Sequence, residues 1–528
     1  MMAPITPLSQ PMTRIERFGL AVGLLLATAL MLPIRGYLTD DTFIHLQYAR
    51  HLAGGLGLVF NPGERVYGCT SPLWVTLLAD GMLFGFDGLK VAKVVGFVST
   101  LASVGLFLQL MRRTVNDAWL RAIATVAWAG HAWMIRWSVS GMETPLAVAL
   151  TLGGFVAFTE GRMWGSRPVR TGALWSLAAL TRPEAGMLLL LWGAFLLIDA
   201  DTRDGLRRML AGTVPPLLIY GCWLLFARFY FGTLWPQTLA AKTVGGAPLS
   251  LLVAGSQREL ELVAATDGVL ALLLVLTLVL GGRALWPSRP TAQRFLPWCW
   301  VIGVPTLYVA RGVTVLSRYL LLVLPVLAWL AWRGLERWWL GDTPGPQRVR
   351  SARVAFALVG ALVLAQNVAV YRAKVVPQVN SFTPALQGSL LRWGGWFRGH
   401  TPPEAVIAAP DIGAVGYASD RRIVDLAGLV TPEMVPFLMR EPMEDAIAGF
   451  AFAAFSRPDY LMDRDPRPFG LLERSKYAAC LTPIGHSTVP NLGIARPDPI
   501  TYSVYRIDWA VFDSVRAVRM RTTEGGAR

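Results

Sequence analysis

Long apolar runs alternate with short, arginine-rich polar breaks as far as Val370, after which the chain changes character. The apolar runs are Phe18–Ile34, Leu89–Met111, Trp119–Ile135, Leu146–Phe158, Gly172–Leu180, Ala185–Ile198, Leu210–Phe231, Gly268–Leu280, Phe295–Ala310, Tyr319–Trp332 and Val354–Val370. A helix of about 20 apolar residues crosses hydrocarbon. The pattern therefore predicts a polytopic α-helical membrane protein with about 11 transmembrane helices. Beyond it, charge, proline and short alternating runs appear. Ala405–Ala409 and Tyr502–Arg506 read as strands, and Asp445–Phe455 as a helix. The expected division is a membrane module over 1–372 and a soluble α/β domain over 373–528, with a polar, frayed tail from Arg516 to Arg528. No repeat of fixed period is visible.

Composition agrees: 54% of residues are apolar and 16% charged, against about a quarter charged in an average soluble domain. The net charge of +15 would ordinarily raise nucleic acid as a partner. Here the arginines fall between apolar runs, where the inward bias of basic loops explains them. Arg14 and Arg17 precede the first span and hold the N-terminus inside. Alternation then puts the clusters at Arg112/Arg113, Arg162/Arg167/Arg170, Arg203/Arg207/Arg208, Arg283/Arg289/Arg294 and Arg333–Arg353 on the inner side. It puts the loop 35–88 and the C-terminal domain on the outer side. Pro72–Phe86 is apolar enough to span, but a span there would invert every later loop, so a surface helix is expected. Ala27-Thr28-Ala29 looks like a cleavage site, yet the apolar run continues to Ile34 and reads as an uncleaved anchor. The four cysteines form no CxxC pair and suggest neither zinc nor a disulfide framework.

Candidate chemistry sits just past the first span, at Asp40 and Asp41. Adjacent carboxylates at a membrane surface repel each other and are costly to desolvate. A proton to take or a divalent cation to hold would explain them; capping of the helix expected over Phe43–His51 needs only one. The glycines at 54, 55 and 57 do not follow a strand, so no dinucleotide site is expected. Arg182 and Glu184 interrupt two short apolar runs, where an internal pair and a phosphate contact are both open readings. Glu143 lies at the mouth of a span and fits a helix cap equally well. Lys242 and Arg318, near helix ends, could snorkel or join Arg182 around a phosphate. His45 and His51 fall on the first-loop helix, where a lone histidine is more often structural.

The stretch from Asp40 to Trp74 carries Asp-Asp-Thr-Phe-Ile, Tyr48-Ala-Arg50, Phe60-Asn-Pro-Gly-Glu64 and Thr70-Ser-Pro-Leu-Trp74. It resembles the first extracytoplasmic loop of GT-C glycosyltransferases, closest to the mycobacterial terminal arabinofuranosyltransferase group and its bacterial relatives. Ser140–Leu146, Thr181–Glu184, Pro236–Lys242, Arg318–Pro325, Asp411–Tyr417 and Val424–Leu429 resemble the same group in the same order. Relatives often carry Asn where Gln237 stands. The resemblance implies a GT-C membrane module in a bacterial cytoplasmic membrane and a polyprenyl-phosphate sugar donor. It implies a glycan, lipid or protein acceptor and inversion at the transferred sugar, with no nucleotide cofactor. Asp40 and Asp41 become the catalytic pair, one as base and either as the holder of any divalent cation. Arg182, Lys242 and Arg318 become donor-phosphate ligands, and Tyr48, Arg50, His51, Glu143, Glu184 and Gln237 substrate contacts. A transporter or flippase of lipid-linked glycans is the alternative, since it too needs many spans with buried charges.

Overall fold

The computed structural model describes residues 11–525 other than 161–164, 199–202, 238–248, 282–291, 314, 342–343 and 491–498. Five described helices are long and apolar enough to cross a bilayer: Arg14–Ile34, Gly88–Thr114, Arg203–Tyr230, Ser250–Leu280 and Pro346–His400. Shorter apolar helices at Ala118–Ala129, Thr144–Phe158, Pro183–Ile198 and Leu296–Ala310 pack among them. The protein is thus a multi-pass helical membrane protein. Its apolar core is continuous through the bundle and contains buried Trp175, Trp192, Trp300, Trp329 and Trp332.

The first helix opens with a reciprocal cap, in which Thr13 and Glu16 satisfy each other's backbone N–H groups. It then packs closely on the helix Ala118–Ala129. A Cβ on Gly19 would lie 2.7 Å from that of Ala122, so the small residue sets the approach of the two backbones. The run expected as one span over Trp119–Ile135 is instead two helices. His131 accepts the N–H of Met134 and caps the second, Ala132–Ser138, after a break at Gly130.

Pro72–Leu83 is a separate short helix. The last long helix passes position 372 without a break and ends only at His400, because wide turns at Tyr371–Val375 and Gln387–Leu391 absorb the irregularity without ending the helix. The sheet domain follows. Strands β1 (Val406–Ala409), β2 (Arg422–Asp425), β3 (Tyr460–Asp465), β4 (Leu481–Val489) and β5 (Ile500–Ile507) form one sheet in the order β2-β1-β3-β5-β4. β1 pairs in parallel with β2 and β3, and β5 pairs antiparallel with β3 and β4. Its fully buried β1 and β2 positions face two cores. One includes Leu461 and Phe450; the other merges with the first-loop helix Asp40–Ala53 through Phe43, Leu46 and Tyr48.

Candidate active site

The loop after the first span is built to grip the sheet domain. Asn61 donates to the carbonyl of Ile423 (2.8 Å) and accepts its N–H (3.0 Å), which satisfies the free edge of β2. Glu64 pairs with Arg422 (2.7 Å), and Phe60 packs under Gly416. The Phe-Asn-Pro-Gly-Glu motif is therefore a docking element. Tyr48, Arg50 and His51 also bind protein here. Tyr48 donates to the Val66 carbonyl, Arg50 pairs with Asp420 (2.9 Å) and covers the Tyr417 ring, and His51 meets the Val59 carbonyl (3.1 Å). Gln237 is held by its backbone N–H, which donates to the Tyr67 carbonyl. Lys242 lies outside the described residues.

Asp40 and Asp41 occupy the first turn of the helix Asp40–Ala53, where its dipole favours negative charge. Thr42 ties this turn to the Ser140 carbonyl (2.9 Å), beside Glu143. The two carboxylates then part. Asp40 reaches the sheet domain and accepts the N–H groups of Gly413 (3.0 Å) and Ala414 (2.7 Å). Burial, then the negative charges of Asp411 and Asp41, push its pKa up to about 7, and the two donors only partly offset them. Asp411 is itself fixed by Arg464 (2.9 Å) and by the Tyr502 hydroxyl (2.7 Å). Asp41 turns the other way, to an ion pair with Arg318. Its side chain is 44% exposed, whereas that of Arg318 is 8% exposed.

Arg318 lies over the rings of Trp137 and Tyr319, and Arg182 over the same Tyr319 ring. The structure thus brings Arg182 and Arg318 together, next to Asp41. Arg182 is enclosed by carboxylates, bonding Glu143 at 2.7 Å and Glu184 at 3.0 Å, while Tyr308 donates to Glu184 (2.6 Å). His45 faces the second oxygen of Glu143 at 3.8 Å, too far for a hydrogen bond. Both atoms are buried without a partner among the described residues, and a small hydroxyl between them would satisfy both. Burial holds His45 below its ordinary pKa despite Glu143 and Asp41, so the ring is neutral near pH 7.

Sequence reading singled out the stretch Asp411–Tyr417 but not the pairing of its Gly413 and Ala414 with Asp40, and it missed the aromatic floor of Trp137, Tyr308 and Tyr319. Among the described residues, no three His, Cys, Asp or Glu side chains converge as metal ligands. Both oxygens of Asp40 are taken by backbone donors and one of Asp41 by Arg318.

The fold is that of GT-C membrane glycosyltransferases. The crystal structure of ArnT from Cupriavidus metallidurans bound to undecaprenyl phosphate superposes with a TM-score of 0.56 at 16% identity, covering 92% of this chain and 97% of that one. Mycobacterial arabinofuranosyltransferase AftD gives 0.53 at 18% identity, over 94% of this chain and 40% of that one. The Archaeoglobus fulgidus oligosaccharyltransferase gives 0.53 at 12% identity, over 94% and 74%. In sequence, the chain is similar to two proteins named terminal β-(1→2)-arabinofuranosyltransferase. That of Mycobacterium tuberculosis is 31% identical over 229 residues, 40% of this chain and 36% of the relative. That of Corynebacterium glutamicum is 26% identical over 251 residues, 40% and 34% respectively. The chain spans about a third of the length of these curated relatives. Residues 381–511 match a family described as a domain of unknown function, DUF8728.

Proposed function

We propose that this protein is an inverting glycosyltransferase. It moves a sugar, a pentose such as arabinofuranose, from a polyprenyl-phosphate donor to a cell-envelope glycan, lipid or protein at the outer face of the bacterial cytoplasmic membrane. The observation that carries this reading is the divergence of Asp40 and Asp41. One carboxylate is ionisable near neutral pH, and its neighbour is locked to a cation. A base works best with a pKa near the working pH, and Asp40 meets that condition. It takes the proton of the acceptor hydroxyl as that oxygen attacks the anomeric carbon. The bond from that carbon to the phosphate oxygen breaks on the opposite side, and the electron pair leaves with the polyprenyl phosphate. One displacement inverts the centre. Arg318, with its charge shared by Asp41, and Arg182 with Lys242 steady the departing charge. The gap between His45 and Glu143 receives a sugar hydroxyl.

The names of the relatives support the sugar class, and lipid phosphates bound to ArnT and to the archaeal oligosaccharyltransferase AglB support the donor class. No step in this scheme runs through a metal. Purified protein incubated with a panel of polyprenyl-phosphate pentoses and hexoses should release polyprenyl phosphate with one of them and form a glycosidic product. Movement of the lipid across a vesicle without its consumption would instead establish a transporter.

A further inference from the structure

The buried cations around the candidate site are not equivalent in charge. Arg318 has Asp41, and Arg182 has both Glu143 and Glu184. Arg136 has no carboxylate among the described residues. It lies in the last turn of the helix Ala132–Ser138 and is 3% exposed. Its guanidinium donates to the Tyr37 hydroxyl (2.9 Å) and to Gln378 Oε1 (2.7 Å), both neutral, and its Nε is buried without a partner among the described residues. The rings of Tyr37 and Trp137 cover it at 5.4 and 5.1 Å. A snorkelling arginine ends in water; this one ends inside protein. Lys93 is only half-buried, and it donates to the carbonyls of Arg35 (2.6 Å) and Tyr37 (3.0 Å). Arg136 and Lys93, neither paired with a carboxylate among the described residues, therefore hold the segment that leads into Asp40. An isolated buried charge is expensive unless an anion compensates it.

Resting on the donor reading above, we propose that Arg136, supported by Lys93, is the anion subsite that receives the phosphate of the lipid-linked donor and keeps it after the sugar leaves. The location fits. The Trp137 ring is shared by Arg136 and Arg318, which puts this charge one aromatic ring away from the Asp41 pair. The charge balance fits too. Arg182 and Arg318 keep their carboxylates and steady the charge only as it develops at the anomeric centre, whereas at Arg136 the phosphate itself would supply a missing counter-charge. A guanidinium also presents two parallel N–H groups to a phosphate, and Nε is free to form one edge of that fork.

The test is native mass spectrometry of the purified full-length protein with undecaprenyl phosphate, with phosphatidylglycerol and inorganic phosphate as competitors. The wild-type protein should bind one undecaprenyl phosphate that neither competitor displaces. Arg136→Gln should weaken binding about tenfold or more, as expected for a lost charge-assisted bond. Tyr37→Phe, which removes only the neutral contact, should stay within about threefold. Unchanged affinity in folded R136Q overturns the proposal. So does an equal loss in Y37F, which would make Arg136 a brace for Tyr37. Equal competition by phosphatidylglycerol or inorganic phosphate overturns the assignment to a donor site. If R136Q does not fold, R136K decides: its point charge lacks the fork and should lower affinity about threefold to tenfold, and unchanged affinity counts against Arg136. Failure of the wild-type protein to bind undecaprenyl phosphate defeats the donor reading itself, whereas binding that survives R136Q defeats only the role of Arg136.

Discussion

The two ends of the helix bundle carry similar ion pairs in opposite settings. At one end Glu16 is 1% exposed and forms ion pairs with both Arg112 (3.2 Å) and Arg121 (3.0 Å), while Asp117 pairs with Arg353. At the other, Asp41 holds one buried arginine and leaves its own carboxylate nearly half open. A sealed carboxylate with two cations fixes helices and has no room for a reactant. An open one beside a buried cation can meet a substrate. The lesson is that exposure of the carboxylate, rather than presence of the pair, separates a fastener from a candidate reaction centre.

This contrast can be broken. Asp40→Asn should lower kcat by about two orders of magnitude or more, the usual share of a general base. Steady-state release of polyprenyl phosphate measures it, and near-normal rates in folded D40N and D41N would remove the site. Gly413→Ala comes next. A Cβ there would fall 2.0 Å from the Asp40 carbonyl oxygen, so the docked helix must move and both donors to Asp40 shift. Activity should drop about tenfold or more for two such bonds, with faster proteolysis at the seam between loop and sheet domain.

The pH profile sharpens the comparison. Asp40 must be ionised to act, so kcat/KM should fall about tenfold per unit on the acid side of a midpoint near the value of about 7. Asp411 raises this pKa more than Asp41 does. Asp411→Asn should therefore move the limb further down than Asp41→Asn. The same shift has a stability sign. A carboxyl whose pKa rises on folding, from 3.8 to about 7, stabilises the fold fully below the lower value, and that contribution is lost as pH rises through the upper one. The wild-type protein should thus lose thermal stability between about pH 4 and 7, and D40N should not. The smallest effect on turnover belongs to Glu16→Gln. It should leave kcat unchanged while destabilising the bundle by about 3–5 kcal/mol, the cost of breaking a buried pair, read as a lower unfolding temperature.

Much of this architecture was legible in the chain. Apolar run length gave the membrane class, β1 and β5 stand where alternation put them, and Pro72–Leu83 is a helix of its own. Helix continuity was not legible at 372, because Arg372 and Lys374 look like the end of a span; the wide turn that carries the helix past them has no sequence signature. In the candidate site, Asp40, Asp41, Arg182 and Arg318 stood out as charges at the edges of apolar runs. Arg136 did not, since a single arginine in the last turn before Ser138 reads as an ordinary boundary. What distinguishes it is the neutral company it keeps, a property of three segments far apart in sequence.

The clasp between Asp40 and the Gly413 helix has a consequence for the making of the protein. Asp40 leaves the ribosome early, and the backbone groups that position it belong to a segment translated long afterwards. A nascent chain already seated in the membrane lacks both backbone donors to Asp40 until residues past Ala414 have been made. The order of synthesis therefore makes the geometry around Asp40 one of the last features of the chain to be completed.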